Sequence, residues 1–151
     1  MKLVRIDKDS RYLKEIINIL YKWWGEKYEF SYKEMETLYK TYIADEKIPN
    51  LYALIINETL VGMYEINEKD KIDVRDYCPY LANVFVKEEY RGLGYSKYLI
   101  NDAIKRTKEL GYKKLYLHTK HDSLYQRYGF EFLEKVKIKY GEKKIYVLEI
   151  K

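Results

Sequence analysis

The chain contains one cysteine, Cys78, and two prolines among its 151 residues. A single cysteine excludes an internal disulfide framework, on which small secreted domains commonly depend. The sequence therefore favours a cytoplasmic protein. Cys78 is followed by Pro79 and Tyr80, with no basic side chain there to activate a thiol. We expect a buried or incidental thiol rather than a nucleophile.

Long apolar runs are missing as well. No stretch approaches the ~20 residues of a membrane-spanning helix, and the segment from Met1 to Arg5 lacks the apolar core of a signal peptide. Internal repeats, low-complexity tracts and linkers are also absent. We therefore expect no membrane segment, and the length predicts one domain over residues 1–151.

Charge of one sign is not concentrated, since the net charge of +5 comes from 29 basic and 24 acidic residues that are interleaved. The densest basic stretch, residues 135–144, is typical of an exposed hairpin whose lysines protect an edge strand. A nucleic-acid-binding surface is the alternative, but no recognised nucleic-acid motif accompanies it. A mild positive bias also suits an anionic ligand.

The most informative stretch that is present covers residues 84–96 and reads VFVKEEYRGLGYS. An apolar run, a charged turn and a glycine-bearing loop before an amphipathic pattern predict a strand–loop–helix unit. Gly92 and Gly94 remove side chains that would keep a ligand from the backbone. Free N–H groups at a helix N-terminus suit a phosphate or pyrophosphate. A glycine turn that only opens a βα unit is the alternative interpretation.

The loop fits neither common phosphate motif. The P-loop spacing is absent, and the dinucleotide fingerprint would need glycine where Lys97 stands. The remaining pattern, Arg91-x-x-Gly94-x-Ser96, resembles the acyl-CoA-binding loop of the GNAT N-acetyltransferase superfamily, Arg/Gln-x-x-Gly-x-Gly/Ala. Ser96 departs from that pattern at the last position. Because serine is small, we expect the turn to be retained, with a hydroxyl available to a phosphate.

A second motif covers residues 124–130, which read LYQRYGF. It resembles the Leu-Tyr-x-x-x-Gly-Phe segment that follows the fifth strand in the same superfamily. Its residues predict a short helix that ends at Gly129 in a left-handed cap, with Phe130 starting the next strand. The roughly 30 residues between the motifs leave room for one helix, one strand and one short helix.

Hydrophobic periodicity and turn signals predict a single continuous series of elements. The predicted strands are Lys2–Ile6, Leu51–Ile56, Leu60–Ile66, Tyr80–Val86, Lys114–Thr119, Phe130–Tyr140 and Lys143–Ile150. Helices are predicted from Ser10 to Gly25, from a capping box at Ser31 and Glu34 up to a break at Pro49, and over Lys97–Leu110 with Gly111 as cap.

This order, β-α-α-β-β-β-α-β-α-β-β, is similar to that of the superfamily. The resemblance implies an α/β (α+β) fold, with a mixed, mostly antiparallel twisted sheet flanked by helices and splayed between strands 4 and 5. It further implies acetyl-CoA as cosubstrate and no metal. His118 and His121 lie three residues apart without a supporting carboxylate, which is a weak metal signal.

The resemblance also assigns the cofactor site. The pantetheine amides of acetyl-CoA would pair with backbone groups at Val84, Phe85 and Val86. Arg91 either contacts a phosphate or braces the turn. The pyrophosphate would bind the N–H groups of Gly92, Leu93, Gly94, Tyr95, Ser96 and Lys97.

The resemblance identifies Tyr125 as the general acid that protonates the departing thiolate. A tyrosine is protonated at pH 7, as an acid must be. The alternatives are a core aromatic, one of nineteen tyrosines, or transfer of the role to Tyr128. A backbone N–H of the fourth strand would polarise the thioester carbonyl.

The general base is left open by the sequence. The stretch 77–83, where some family members have a glutamate, contains no carboxylate. Asp73, Asp76 and Glu36 are candidates, each with a solvated surface charge as the alternative, and a water chain could serve instead.

The acceptor site is left open too. Trp23, Trp24 and the loop over residues 67–79 could line it, against core packing and a solvated loop as the alternatives. The function that we predict is an acetyl-CoA-dependent N-acetyltransferase, moving an acyl group other than aminoacyl to a primary amine of a small molecule or peptide. The alternatives are a non-catalytic acyl-CoA-binding module or, less favoured, a basic nucleic-acid-associated domain. We expect a monomer or homodimer.

Overall fold

The computed structural model describes residues 1–43, 50–68, 76–119, 124–138 and 141–151. Strands β1 to β7 and helices α1 to α3 follow one another in the predicted order, and a 3₁₀ turn stands where the fourth, short helix was predicted. Their bounds are β1 Lys2–Ile6, α1 Leu13–Leu20, α2 Tyr32–Tyr42, β2 Asn50–Ile56, β3 Thr59–Asn67, β4 Tyr80–Val86, α3 Tyr95–Glu109, β5 Lys114–Thr119, β6 Glu131–Ile138 and β7 Gly141–Glu149. Short 3₁₀ turns cover Glu88–Tyr90 and Gln126–Tyr128. Among the described helices, none is both long and apolar enough to cross a bilayer.

Local turn chemistry sets most of the boundaries. Ser31 and Glu34 form the predicted capping box at the start of α2. The hairpin between β2 and β3 turns at Asn57 and Glu58, whose φ angles of 50° and 63° are those of a tight hairpin turn. Gly111 follows α3 at φ 91°, which confirms the predicted cap. The predicted break at Pro49 lies outside the described residues.

The first helix differs from the prediction of one continuous α-helix up to Gly25. After Leu20 the chain makes a π-helical turn, Tyr21–Gly25. The Glu26 N–H donates to the carbonyl of Tyr21, five residues back, at 3.0 Å. A π turn advances the chain less per residue around the helix axis than an α turn does, so it changes which side chains share a face.

The seven strands form one sheet in the order β1-β2-β3-β4-β5-β7-β6. Every neighbouring pair is antiparallel except β4 and β5, which are parallel. Because β7 lies between β5 and β6, β6 forms the edge of the sheet. Lys135 and Lys137 are exposed on it, as predicted for an edge strand.

The two sides of β4 are paired very differently. Its antiparallel ladder with β3 runs from Gly62 opposite Val86 to Asn67 opposite Tyr80. With β5 the described residues pair at one position, Tyr80 opposite Tyr116. The Tyr116 N–H donates to the carbonyl of Pro79 at 2.9 Å. Beyond that point the strands diverge, which confirms the predicted splay.

A β-bulge interrupts β4 on its paired side. The register with β3 shifts between Met63 and Glu65, which face Phe85 and Ala82 respectively. Tyr64 therefore lies opposite two residues, one of which is Asn83 at φ 52°. A bulge leaves one residue outside the ladder and bends the strand.

Both faces of the sheet are covered. On one face, α3 packs with its Leu99 and Ile100 against Tyr64 and Leu81. On the other face, α1 and α2 pack against residues of β2 and β3 such as Leu51, Ala53 and Met63. The open edge of β4 therefore lies between two layers of helices, α3 on one side of the sheet and α1 with α2 on the other.

Candidate functional site

A cavity of about 390 Å³ lies where the splayed end of β4 meets the loop before α3. Its walls combine strand backbone, loop backbone and aromatic side chains. The lining residues are Trp23, Val84, Phe85, Val86, Tyr90, Arg91, Gly92, Gly94, Tyr95 and Ser96. This is the region that the sequence singled out, now closed into one concave surface.

Two glycines set the shape of the loop. Gly92 and Gly94 have φ angles of 80° and 85°, in the left-handed region that side chains disfavour. A Cβ built on either glycine would meet no atom within 4 Å. Glycine is therefore favoured at these positions by the positive φ angle and not by lack of space. Gly94 is the N-cap of α3 and supplies no side-chain hydrogen bond to it. The first N–H groups of α3 therefore remain for an anion, and the helix dipole adds positive potential.

Arg91 braces the turn. Its Nε donates to the carbonyl of Val86 at 2.8 Å, and its guanidinium carbon lies 5.4 Å from the centre of the Phe85 ring. Of the two roles left open by the sequence, the structural one is therefore observed. A phosphate contact by the same guanidinium stays a prediction.

Eight of the ten residues predicted to bind the cofactor line the cavity. The exceptions are Leu93 and Lys97, whose side chains are exposed, Leu93 at 65%. A backbone contact from either residue stays a prediction. Sequence reasoning missed Tyr90, which the 3₁₀ turn at Glu88–Tyr90 brings to the cavity wall. Its position directly before Arg91 was the available signal.

The two neighbouring tryptophans separate in the structure. Trp23 is 46% exposed and lines the cavity, with its ring centre 5.3 Å from that of Phe85. Trp24 instead packs edge-on against Phe30 and against the ring of Tyr28. Only Trp23 is thus placed at the cavity, whereas Trp24 takes the core-packing alternative. Of the loop over 67–79, residues 69–75 lie outside the described residues.

Tyr125 does not line the cavity. It is half-buried, with its ring edge-on to Phe130 at 6.0 Å, and it packs, as Val84 does, against the buried cluster that contains Phe130. Burial raises the pKa of the Tyr125 phenol, and nearby Tyr128 raises this pKa further. The phenol is therefore protonated over a wide pH range. Gly129 follows the 3₁₀ turn at φ 97°, as the sequence predicts.

Neither of the two proposed bases that the structure describes, Glu36 and Asp76, lines the cavity. Glu36 lies on the surface of α2, where Lys33 and then Lys40 lower the pKa of its carboxyl. Asp76 is exposed, and Asp73 lies outside the described residues. Sequence reasoning missed a different carboxylate, Glu65, which is buried on β3.

No metal cluster is evident in the part of the chain that the structure describes. There, no group of three or more His, Cys, Asp or Glu side chains could hold an ion. His118 packs edge-on to Tyr80 at 5.0 Å, and His121 lies outside the described residues. Cys78 is partly buried and forms no disulfide.

Comparison with known proteins gives a family and a fold. A sequence profile described as the acetyltransferase (GNAT) family matches residues 13–130. No curated protein matches this chain.

Solved structures match over nearly the whole chain. An aminoglycoside 6'-N-acetyltransferase complexed with coenzyme A is 16% identical with a TM-score of 0.77, covering 100% of this chain and 98% of that one. A GNAT family acetyltransferase from Elizabethkingia anophelis with acetyl-CoA bound is 19% identical with a TM-score of 0.70, over 98% and 97%. A spermidine N-acetyltransferase from Vibrio cholerae is 20% identical with a TM-score of 0.73, over 99% and 95%. At these identities the likeness shows the shared fold.

Proposed function

This chain belongs to the GNAT acetyltransferase family, and from that premise we propose that it transfers the acetyl group of acetyl-CoA to a primary amine. The observation that carries the proposal is the cavity formed by the open side of β4 and the loop at Gly92 and Gly94. One wall offers strand backbone and the other offers helix N–H groups, as a long thioester cofactor with a pyrophosphate requires.

The proposed binding mode places the pyrophosphate at the N-terminus of α3. There the N–H groups of Tyr95, Ser96 and Lys97 lack earlier partners within the helix, and the dipole favours an anion. The hydroxyl of Ser96, at the cavity wall, can donate to a phosphate oxygen. The pantetheine arm then runs back along β4, past Val86 and Val84.

The splay supports this mode because it leaves one edge of β4 unpaired. Beyond the Tyr80–Tyr116 contact, β4 does not form a ladder with β5, so backbone groups of Val84 to Val86 remain for the amides of the arm. A backbone N–H or C=O group that is buried without a hydrogen-bond partner destabilises the protein by about 1–3 kcal/mol. Hydrogen bonds from the amides of the arm would remove this penalty. A backbone N–H near the bulge polarises the thioester carbonyl.

Tyr125 acts as the general acid in this proposal. Its raised pKa keeps the hydroxyl protonated at neutral pH, and it packs against the same buried cluster as Val84 of β4, along which the arm is proposed to run. When the tetrahedral intermediate collapses, the hydroxyl gives its proton to the departing sulfur. The transferred group is an acyl group other than aminoacyl, and the chain's own residues supply the catalysis without a metal.

The acceptor is a small molecule or a peptide amine. Trp23, exposed at the cavity mouth, is the described residue best placed to contact it. The acetyltransferases of similar fold include enzymes whose names specify an aminoglycoside and spermidine, so both belong among the candidates. We place the reaction in the cytoplasm, with the chain as a monomer or homodimer.

A binding and turnover assay tests the proposal. Calorimetry measures acetyl-CoA affinity, and a thiol-reactive dye measures coenzyme A release with spermidine, kanamycin, a lysine peptide and phenethylamine as acceptors. Binding together with amine-dependent thiol release supports the proposal. Binding without release for every amine supports the non-catalytic acyl-CoA-binding module instead. Absence of binding, with salt-dependent retention on duplex or single-stranded DNA, would indicate the nucleic-acid alternative.

A further inference from the structure

Glu65 is a charged residue in an otherwise apolar part of β3, and the residue is only 4% exposed. Burying a carboxylate is costly unless other groups hydrogen-bond to it. A carboxylate retained in such a place therefore needs a structural or a chemical reason. Its surroundings on α2 and β4 favour a chemical one.

Two polar side chains hold the same oxygen of Glu65. The Tyr39 hydroxyl, from α2, donates to Oε2 at 2.9 Å, and the Asn83 Nδ2, from β4, donates to Oε2 at 2.5 Å. Among the described contacts, α2 brings the titratable Tyr39 against the carboxylate, and β4 brings a neutral amide. On β2 the neighbour in the ladder is the apolar Leu51.

The residue that bonds to Glu65 on β4 is also the strained one. Asn83 has a φ of 52° at the bulge, in the left-handed region that a residue with a side chain seldom adopts. Such strain persists where the surroundings over-determine it, which is common at active sites. Directly across from Glu65 stands Ala82, whose methyl group is the smallest side chain that β4 could present on that face.

Glu65 lies on the same face of the sheet as one wall of the cavity. Two residues along β3, Met63 faces Phe85, which lines the cavity and contacts Trp23. Two residues of strand span about 7 Å. From Val86, next to the loop, back to Asn83 is about 10 Å along β4. The acyl end of the arm, which runs from that loop, is therefore directed towards the bulge.

Resting on the proposed function, we propose that Glu65 is the general base, a catalytic residue that takes the proton of the acceptor amine. Tyr39 and Asn83 hold its carboxylate in position at the bulge. This role fills the gap left on β4, where residues 77–83 contain no carboxylate, with one supplied by the neighbouring strand.

The proton balance of the reaction then closes. The acceptor's ammonium gives one proton to the Glu65 carboxylate, and its nitrogen forms a bond to the thioester carbonyl carbon. The carbon–sulfur bond breaks, and the Tyr125 hydroxyl protonates the sulfur. The second proton of the nitrogen returns through solvent to the Tyr125 phenolate, and Glu65 releases its proton to solvent. The products are the amide, coenzyme A and one proton.

Glu65→Gln tests the base because it keeps the shape and removes the basicity. With the fastest amine of the panel above, the single-turnover rate of the wild type should level off well below the amine's own pKa. In Glu65→Gln the rate at pH 7 should fall by about 10²-fold. It should then rise tenfold per pH unit up to the amine's pKa, so that the loss shrinks at high pH.

Tyr39→Phe is the matched control. It deletes one hydrogen bond to Glu65 but keeps the carboxylate, so the wild-type plateau should remain with only a few-fold change in rate. A Glu65→Gln profile that matches the wild type would overturn the proposal. So would a wild-type rate that already rises tenfold per pH unit to the amine's pKa, a measurement that needs no variant to fold. Calorimetry on Glu65→Gln distinguishes failure of this proposal from failure of the proposed function. Acetyl-CoA binding should persist in this variant whether or not Glu65 is the base, and its absence from the wild type would contradict the proposed function instead.

Discussion

The two edges of β4 differ, because one is paired along its length and the other is largely open. Towards β3 the ladder extends along the strand, broken only by the bulge at Asn83. Towards β5 it is held, among the described residues, by Tyr80 opposite Tyr116. The first edge contributes to a continuous sheet, and the second keeps backbone groups available. Ending the pairing with β5 early therefore leaves an edge of β4 open to the proposed cofactor.

Each edge depends on a glycine, for different physical reasons. On the paired side, a Cβ on Gly62 would lie 2.6 Å from the carbonyl oxygen of Phe85 and 3.1 Å from Cδ1 of Leu99. Gly62 therefore allows close packing of β3 against β4 and α3. On the open side, Gly94 has free space but a φ of 85°. The first glycine matters for stability, and the second for the shape of the site.

The largest expected effect is on the open edge. Gly94→Asp adds a negative charge where the pyrophosphate should lie, so acetyl-CoA binding should fall below detection in calorimetry while circular dichroism shows a retained fold. Gly94→Ala is the control, because it adds the backbone strain of about 1–2 kcal/mol without the charge. It should weaken binding modestly. Normal binding by Gly94→Asp would disprove the loop assignment.

Next in size is the loss of the general acid. Tyr125→Phe keeps the ring and removes the hydroxyl, so turnover should fall by roughly 10²-fold or more, with acetyl-CoA affinity little changed. Tyr128→Phe, three residues on, should have the milder effect. If the two effects are reversed, the acid is Tyr128.

The pKa of Tyr125 adds a pH signature to that prediction. Because burial raises this pKa above its ordinary value of about 10, the protonated acid is fully present at neutral pH. It is lost only as the pH rises through the raised pKa. Ionisation of Tyr125 should therefore not lower the wild-type rate at any pH below about 10. A decline centred near pH 8 that disappears in Tyr125→Phe would contradict this assignment.

On the paired edge, Gly62→Ala should destabilise the protein by about 1–3 kcal/mol, the range for overpacking a core. The urea midpoint should fall accordingly. Gly92→Ala is the comparison, because its Cβ meets no atom and its cost is dihedral strain at the loop. If Gly62→Ala leaves the midpoint unchanged, the close approach of β4 is not what requires glycine there.

The smallest effects are expected from the three carboxylates that the sequence offered as bases. Glu36→Ala and Asp76→Ala should change the rate only a few-fold, since Glu36 pairs with lysines on α2 and Asp76 is exposed. The same is expected for Asp73→Ala. A single-turnover pH profile checks all three. A neutral plateau that is lost in one of these variants would identify that carboxylate as the base in place of Glu65.

Features encoded in short stretches of sequence were predictable. The strand at Tyr80–Val86, the capping box at Ser31 and the left-handed glycine at Gly129 each depend on a few adjacent residues. The splay between β4 and β5 followed from the resemblance, and the structure confirms it.

Features that depend on distant contacts were not predictable. Glu65 meets Tyr39 and Asn83 across 26 and 18 residues of chain, and nothing in its local pattern marks that meeting. The insertion of β7 between β5 and β6 is equally non-local. The choice of Trp23 over Trp24 depends on the π turn, which shifts the helical phase that periodicity assumes.

Because β4 and β5 pair at one described position, Tyr80 opposite Tyr116, the sheet divides into two panels. The boundary between β4 and β5 is the seam that joins them. One panel holds β1 to β4 and the other holds β5, β7 and β6, and buried residues of both panels belong to one core cluster. A cofactor lying in the splay would bridge the two panels, because it would bind backbone hydrogen-bonding groups that the pairing of β4 with β5 leaves without partners. Separation of the two panels and release of the product would then occur in the same step. The dissociation rate of the product would therefore depend on how strongly the two panels hold together.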